Sequence, residues 1–262
     1  MKDLVSAIES IQMDHEESRL TPAICVNQSD DYVMILNKNS DNYLSNRVVF
    51  SHETHDLKAE DLYEVAESFF GDKVYGWYTD KVKDHHLINF LTDRGWIVED
   101  EYDGRYFKVN NQEFEISANI VEVQAGSPQV KDLVNITTHI WYTIDETKIE
   151  SAIKAYNDYL SSSDRRGGYV LYYLDDKAVG YGTYRFSSCG RYMYLAGTGV
   201  LEAYRNRGIY KSILNYRLNK AIHRGADYVL TQARLGHSSP ILEKCGFDKA
   251  GEFVFLVPYM DK

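Results

Sequence analysis

The chain has 262 residues, of which 44% are hydrophobic and 26% charged, and its formal net charge is −10. This composition is typical of a water-soluble globular protein with one large domain or two modest ones. The acidic balance argues against a nucleic-acid binder, because neutralising phosphates needs a basic face, and it suits a cationic partner such as an amine.

The N-terminus and the cysteines exclude several further classes. The first 17 residues contain five acids and no long apolar run, so we expect no secretory signal and no membrane segment. Cys25, Cys189 and Cys245 lie far apart and form no Cys-x-x-Cys pair. We therefore expect no metal site, no disulfide framework and a cytoplasmic location.

The first third of the chain alternates strand and helix patterns. Runs of β-branched and aromatic residues predict strands, and apolar residues at helical spacing predict helices. In chain order, we predict a strand over 31–36, a strand over 46–51, a helix over 56–70, a strand over 73–79, a helix over 84–96 and a strand over 103–109. The polar stretch 110–119 follows, and we place a boundary there between domains 1–116 and 117–262.

From residue 120 onward the pattern restarts. We predict, in order, a strand over 120–124, helices over 127–141 and 145–162, strands over 167–176, 177–186 and 191–200, a helix over 208–225, a strand over 226–233, a short helix over 238–247 and a strand over 251–260. The three consecutive strands predict a mixed sheet. The strand-helix-strand unit that follows predicts a parallel pair joined by a crossover helix.

Two segments of the chain echo each other. "LTDRGWIVEDEY" (91–102) and "LEKCGFDKAGEF" (242–253) share a leucine, a Gly-aromatic pair and a final aromatic at the same spacing. So few matches leave two explanations open, which are chance and a duplicated fold.

The stretch "AYRNRGIYKSIL" (203–214) places two arginines and a glycine immediately before a predicted helix. Backbone N–H groups at a helix N-terminus lack partners, and together with the helix dipole they bind anions. From these residues alone, a solvated basic turn and a phosphate cradle are both open.

The wider stretch "TGVLEAYRNRGIYKSIL" resembles the acetyl-CoA-binding motif of the GNAT superfamily of N-acetyltransferases. That motif is Arg/Gln-x-x-Gly-x-Gly/Ala after a strand that ends in valine, and here it is Arg205-x-x-Gly208-x-Tyr210. "HSSPILEKCGF" (237–247) is similar to the family's later motif. The resemblance implies a mixed α/β fold with a central mixed sheet flanked by helices. The first half would be a degenerate second copy without a phosphate-binding turn.

The resemblance also implies an activity, namely transfer of an acetyl group from acetyl-CoA to a primary amine by direct attack. The backbone of the turn would hold the pyrophosphate, and the end of the preceding strand would pair with the pantetheine arm. The implied cofactor-binding residues are Thr198, Gly199, Val200, Leu201, Arg205, Asn206, Arg207, Gly208, Ile209 and Tyr210.

Two positions depart from the family pattern. Tyr210 stands where the motif has a small residue, and Leu242 stands where the family often has a tyrosine that protonates the leaving thiolate. Leucine cannot transfer a proton. An alternative function therefore stays open, that of a non-catalytic CoA-binding sensor or interaction module.

Three residues are candidates for proton transfer, and each has a plain structural role as its alternative. Period-2 counting along the strand puts Tyr194 on the same face as Val200, provided that no bulge lies between them. Glu202 follows the strand end, and His237 precedes the last short helix. We expect a small-molecule amine as acceptor, and the acidic net charge favours a cationic one, while the sequence leaves its identity and the oligomeric state open.

Overall fold

The computed structural model describes residues 2–14, 16, 22–141 and 148–259. These residues form two compact units. Of the described residues, the first unit contains 2–14, 22–106 and 231–259, and the second contains 16, 107–141 and 148–230. The start of the predicted helix over 145–162 lies outside the described residues.

The first unit contains a mixed sheet in the order β1-β2-β3-β4-β11-β5. Its strands are β1 (Ile24–Gln28), β2 (Tyr32–Asn37), β3 (Arg47–Ser51), β4 (Gly76–Asp80), β5 (Trp96–Lys108) and β11 (Asp248–Pro258). Its helices are α1 (Lys2–Glu9), α2 (Ala59–Phe70), α3 (His85–Thr92) and α7 (Ser238–Lys244). Strands β3 and β4 run parallel and are connected through helix α2. The pairs β1-β2, β2-β3, β4-β11 and β5-β11 are antiparallel.

An aromatic core holds the first unit together. The apolar faces of α2 and α3 pack on the sheet around Trp77 and Trp96, whose ring centroids are 6.0 Å apart at an interplanar angle of 83°. Edge-to-face packing of this kind adds to the free energy gained by burying the rings. The indole of Trp77 donates a hydrogen bond of 2.8 Å to Ser51 Oγ, so its polar atom is satisfied inside the core.

The second unit contains a mixed sheet in the order β10-β9-β8-β7-β6. Its strands are β6 (Ile120–Glu122), β7 (Gly167–Leu174), β8 (Lys177–Phe186), β9 (Tyr192–Val200) and β10 (Tyr228–Arg234), of which β10 continues beyond residue 230 into the first unit. Its helices are α4 (Gln129–Trp141), α5 (Ile149–Ser161) and α6 (Ile209–Arg224). The predicted meander β7-β8-β9 and the parallel pair β9-β10 with its crossover helix α6 are confirmed.

Helices cover both faces of this second sheet. Helix α6 packs so closely on β8 that a Cβ atom built on Gly180 or Gly182 would lie 2.8 or 2.5 Å from isoleucine side chains of the helix. On the other face, the Ile140 side chain of α4 occupies the space where a Gly199 Cβ would be. Glycine in these strands therefore sets how near the helices lie to the sheet.

The two echo segments occupy equivalent environments. Leu91 and Leu242 are both buried near the ends of short helices. The glycines that follow each leucine, Gly95 and Gly246, adopt left-handed conformations with φ of 84° and 87°. The aromatic residues at the twelfth positions, Tyr102 and Phe253, are register partners on β5 and β11. These matches in conformation and pairing favour a duplicated fold over chance.

The compact units divide the chain differently from the predicted domains at residues 1–116 and 117–262. Residues 231–259, which the sequence pattern assigns to the second domain, pack with the first unit because β11 lies between β4 and β5. The predicted boundary separates two copies of one fold, whereas the units follow packing. The domain assignment therefore stays a prediction.

Candidate active site

The turn between β9 and α6 has an unusual backbone. After a single 3₁₀ turn at Glu202–Tyr204, Asn206 adopts a φ of 63° and Gly208 a φ of 76°. Both values lie in the left-handed region, which glycine and asparagine enter at the least steric cost. Gly208 is the N-cap of α6, and no side chain caps the helix there.

The backbone N–H groups of this turn are available to a ligand. Within the described part of the chain, the amides of Asn206, Arg207, Gly208 and Ile209 donate no hydrogen bond. A Cβ atom built on Gly208 would meet nothing within 4 Å, so the turn is open on that side. Consecutive free amides at the positive end of a helix of 16 residues fit a phosphate group.

The corresponding turn before α2 is closed to anions. There the Ala59 amide donates to Glu53 Oε1 at 3.2 Å, and the Lys58 amide donates to Asp61 Oδ2 at 2.9 Å. Two carboxylates thus occupy the positions that a phosphate would need. This arrangement supports the prediction that the first half lacks a phosphate-binding turn.

Three cationic side chains surround the open turn. Arg205 Nε donates to the Val200 carbonyl at 3.3 Å, and Arg207 Nη2 donates to the Ala203 carbonyl at 3.3 Å. Lys177 and Arg207 both approach the Tyr204 ring, at 5.6 and 5.4 Å from its centroid. Sequence analysis missed Lys177, because it lies in the β7-β8 hairpin and only the strand pairing brings it to the turn.

Tyr210, which replaces the small residue of the motif, is accommodated away from the turn. Burial lowers the pKa of Arg217, two turns along α6, and the Tyr210 hydroxyl offsets part of that lowering, which places the hydroxyl close to the guanidinium. The side chain therefore extends along the helix, and it does not fill the space beside Gly208.

Strand β9 has a free stretch of edge where the motif predicts the pantetheine arm. In the described part of the chain, parallel pairing with β10 covers only Tyr192–Tyr194 against Tyr228–Leu230. The open edge runs from Ala196 to Val200, where β9 pairs with β8 on its other side. An unpaired strand edge can take up an extended ligand through main-chain hydrogen bonds.

A β-bulge interrupts β9 just before the predicted pantetheine site. Thr183 pairs with Ala196 and Gly182 pairs with Thr198, so Gly197 is an extra residue, with a φ of 53°. One inserted residue reverses the alternation of side chains beyond it. Thr198 and Val200 therefore face α6, as the contact from Thr198 to Arg217 shows.

The prediction that Tyr194 shares a face with Val200 is wrong, because period-2 counting does not allow for the bulge. Tyr194 pairs with Arg185, whose guanidinium lies 5.7 Å from the centroid of the tyrosine ring. Its exposed fraction is 2%. The case for Tyr194 as a proton-transfer group therefore loses the geometric argument on which it rested.

The other two candidates lie on exposed segments of different units. Glu202 is exposed in the 3₁₀ turn beside the open amides, in the second unit. His237 is exposed at the N-cap of α7, in the first unit. Leu242 on α7 is 2% exposed, so this departure from the family pattern is a core residue.

A cavity of about 360 Å³ lies beside Leu201 in the second unit. Its lining includes the carboxyl-bearing residues Asp132 and Asp176 together with the cationic Lys177. Asp132 accepts a hydrogen bond of 2.6 Å from the Tyr173 hydroxyl, which fixes that carboxylate. The cavity is large enough for a small polar molecule next to the predicted cofactor-binding strand end.

Residues 130–247 match the model of the Acetyltransferase (GNAT) family. This part of the chain is a GNAT domain. The match to this family supports acyl transfer as the general activity of the chain. No curated protein matches the chain significantly.

Solved structures with the same fold extend over nearly the whole chain. A GCN5-related N-acetyltransferase from Kribbella flavida has a TM-score of 0.69 at 16% identity, over 98% of this chain and 96% of its own. A tandem GNAT protein from the clavulanic acid biosynthesis pathway has a TM-score of 0.61 at 12% identity, over 98% of this chain and 89% of its own. At these identities the likeness establishes the fold, and the GNAT-like mixed α/β architecture is confirmed.

A conserved protein of unknown function from Staphylococcus epidermidis also shares the fold, with a TM-score of 0.65 at 14% identity, over 92% of this chain and 98% of its own.

Within the described residues, no helix combines the length and apolar character needed to cross a bilayer. Nor do those residues bring three or more His, Cys, Asp or Glu side chains together as a metal site.

Proposed function

We propose that the protein is an N-acetyltransferase that moves an acetyl group from acetyl-CoA to a primary amine. The observation that carries the proposal is the open turn, with its run of unsatisfied amides from Asn206 to Ile209 at the start of α6. Arg205 and Arg207 add positive charge next to those amides. A diphosphate is the part of CoA that such a turn binds best.

In this proposal, the pantetheine arm binds along the unpaired edge of β9. Thr198, Gly199, Val200 and Leu201 form the strand end that follows the bulge. Their main-chain groups hold an extended ligand as a neighbouring strand would. The bulge turns the backbone at this point, so that an N–H group can face the carbonyl oxygen of a thioester and stabilise negative charge on it.

Proton removal from the attacking amine falls to an exposed carboxylate or imidazole, and we keep Glu202 and His237 as candidates. Glu202 lies in the turn itself, beside the end of β9. With a buried leucine at position 242, the thiolate leaves without the tyrosine acid that the family often has. A thiol with a pKa of roughly 8.5 is a tolerable leaving group near neutral pH.

We propose a small, cationic amine as acceptor. The net charge of −10 favours approach of a cation, and the cavity beside Leu201 contains two carboxylates. A cytoplasmic location is part of the same proposal, since acetyl-CoA is the co-substrate.

The buried Leu242 favours a second candidate, a CoA-binding module that does not turn over. A thiol-release assay with acetyl-CoA and a panel of amines, amino acids and aminoglycosides separates the two. Steady release of CoA that depends on the amine supports the enzyme. Binding of acetyl-CoA without amine-dependent release with any acceptor supports the module. An unchanged melting temperature in millimolar acetyl-CoA contradicts both.

A further inference from the structure

The middle of α6 carries a cation that is wholly buried. Arg217 has an exposed fraction of 0%, and among the described residues no carboxylate forms an ion pair with it. Burial lowers its pKa to about 10, and nearby tyrosine hydroxyls offset part of that lowering. A buried charge without a counter-ion lowers the free energy of unfolding unless neutral groups solvate it, so the neutral partners of Arg217 matter for its role.

Those partners lie on two neighbouring strands. Arg217 Nη1 donates to the Thr183 carbonyl of β8 at 3.1 Å and to Thr198 Oγ1 of β9 at 2.8 Å. Its Nε donates to the Ile213 carbonyl one turn earlier in the helix, at 3.3 Å. The planar guanidinium can serve acceptors on two strands and the helix at once, which an ammonium on a flexible stem cannot do with the same geometry.

The two strand contacts flank the bulge. The register shift lies between the pairs Gly182–Thr198 and Thr183–Ala196, with Gly197 as the extra residue. Arg217 therefore contacts one residue from each pair and spans the irregular step.

The approach of the guanidinium depends on Gly182. A Cβ atom at that position would lie 3.3 Å from Arg217 Cζ and 2.5 Å from Ile213 Cγ2. The small residue on β8 thus leaves room for the helix and its buried cation directly over the bulge.

We infer that Arg217 is a positioning residue that holds the β9 bulge and so fixes the backbone of Thr198–Val200 for the acyl donor. Without it, a slip of one residue would restore regular alternation and turn Thr198 and Val200 to the opposite face of the sheet. The hydrogen bonds to Thr183 and Thr198 oppose that slip. The second half of this inference, the effect on the acyl donor, rests on the proposed function.

The test uses the full chain with Arg217→Met, which keeps the length and apolar stem of the side chain, and Arg217→Lys, which keeps the charge. The matched control is Lys220→Met on the same helix, because Lys220 pairs with Glu122 at 2.7 Å away from the bulge. Three quantities are measured, namely amide hydrogen exchange of residues 197–199, affinity for free CoA, and kcat with acetyl-CoA.

For Arg217→Met we expect exchange of the 197–199 amides to rise at least about tenfold beyond the change in global stability, since these amides open locally. We expect kcat to fall about 100-fold, as when one donor to a developing oxyanion is lost. Affinity for free CoA should fall far less than kcat, because the phosphate turn is intact and only the pantetheine contacts with β9 are loosened. For Arg217→Lys, both the exchange rate of these amides and kcat should lie between the values for wild type and Arg217→Met. The control should leave both quantities unchanged.

Exchange of the bulge amides that rises no more in Arg217→Met than in the control overturns the inference. So does a normal kcat in a variant whose bulge has loosened. If Arg217→Met does not fold, Thr198→Val removes one acceptor at nearly constant volume and must give the same local rise in exchange. If the wild-type protein binds no acetyl-CoA, the proposed function is wrong. The hydrogen-exchange data then decide by themselves whether Arg217 stabilises the bulge.

Discussion

His52 Nδ1 lies 3.2 Å from Asp84 Oδ2, inside the first unit, and its Nε2 lies 3.4 Å from Glu9 Oε2. Hydrogen bonds to these two carboxylates outweigh burial and raise the pKa of His52 from 6.5 to about 9. The imidazolium thereby connects the end of α1 to the start of α3. Because the folded-state pKa is raised, this stabilisation is complete below pH 6.5 and is lost as the pH rises through about 9.

We expect His52→Gln to lower the free energy of unfolding by about 2 kcal/mol at pH 6, after allowing for solvent screening of a partly exposed group. The difference from wild type should shrink towards pH 9.5. Urea unfolding at the two pH values measures it. His86→Gln is the control, since His86 pairs with Glu53 at an exposed position and the substitution should have little effect on stability. An equal loss at pH 6 and pH 9.5 would contradict the assignment.

The charge at the open turn gives a second prediction. The double substitution Arg205→Glu/Arg207→Glu should abolish the rise in melting temperature caused by acetyl-CoA, because it puts two negative charges beside the pyrophosphate site. Lys131→Glu/Lys38→Glu makes the same change in net charge at exposed positions elsewhere and should keep the rise. Thermal unfolding with and without acetyl-CoA distinguishes them, and an equal loss in both doubles would indicate a non-specific charge effect.

The backbone of the turn can be tested separately from its charge. At position 208, φ is 76°, a conformation that valine avoids and asparagine tolerates. We expect Gly208→Val to weaken acetyl-CoA binding about tenfold, from a strain of roughly 1–2 kcal/mol. Gly208→Asn should stay within about threefold of wild type. Calorimetric titration measures both, and equal affinities of the two variants would refute a role for the left-handed conformation.

A buried ion network supplies a prediction about stability. Burial alone would raise the pKa of Asp103, but Lys249 and the Ser239 hydroxyl outweigh it and lower that pKa. Arg105 Nη2 also lies 3.2 Å from Asp103 Oδ2, and both side chains are buried. Asp103→Asn should therefore cost about 3 kcal/mol at pH 7, because it leaves the guanidinium without its buried partner.

Since the Asp103 pKa is lowered in the folded state, its contribution exists above pH 4 and is lost as the pH falls further. The difference between wild type and Asp103→Asn should therefore shrink in acid. Glu252→Gln removes the exposed partner of Lys249 and should have little effect at either pH. Chemical unfolding at pH 7 and pH 3 checks both variants, and a loss that is undiminished at pH 3 would rule out the charge as its cause.

Most of the regular elements could be predicted from the sequence because each has a local signal. The predicted strand over 46–51 corresponds to β3, and the predicted helix over 208–225 corresponds to α6. In the β7-β8 hairpin, Asp175 and Asp176 adopt the positive φ values that a tight turn of this kind requires. Helix α1 and strand β1 were missed, since they are short, with eight and five residues.

Features that depend on distant partners could not be predicted in this way. The bulge at Gly197 exists only relative to the register of β8, so counting along β9 alone placed Tyr194 wrongly. Arg217 does lie three and four residues after the buried Leu214 and Ile213, on the apolar face of α6. That spacing was a readable signal of a buried arginine, but a charged residue at such a position is ordinarily assigned to solvent.

The place of β11 between β4 and β5 affects how the protein is made. During synthesis the ribosome delivers β4 and β5 first and adds β11 only after the whole second unit has emerged. Until then, the neighbouring edges of β4 and β5 have no strand to pair with, and open strand edges of this kind invite association with other chains. We therefore expect the nascent first unit to be prone to association until translation is complete, and removing β11 would expose the same two edges permanently.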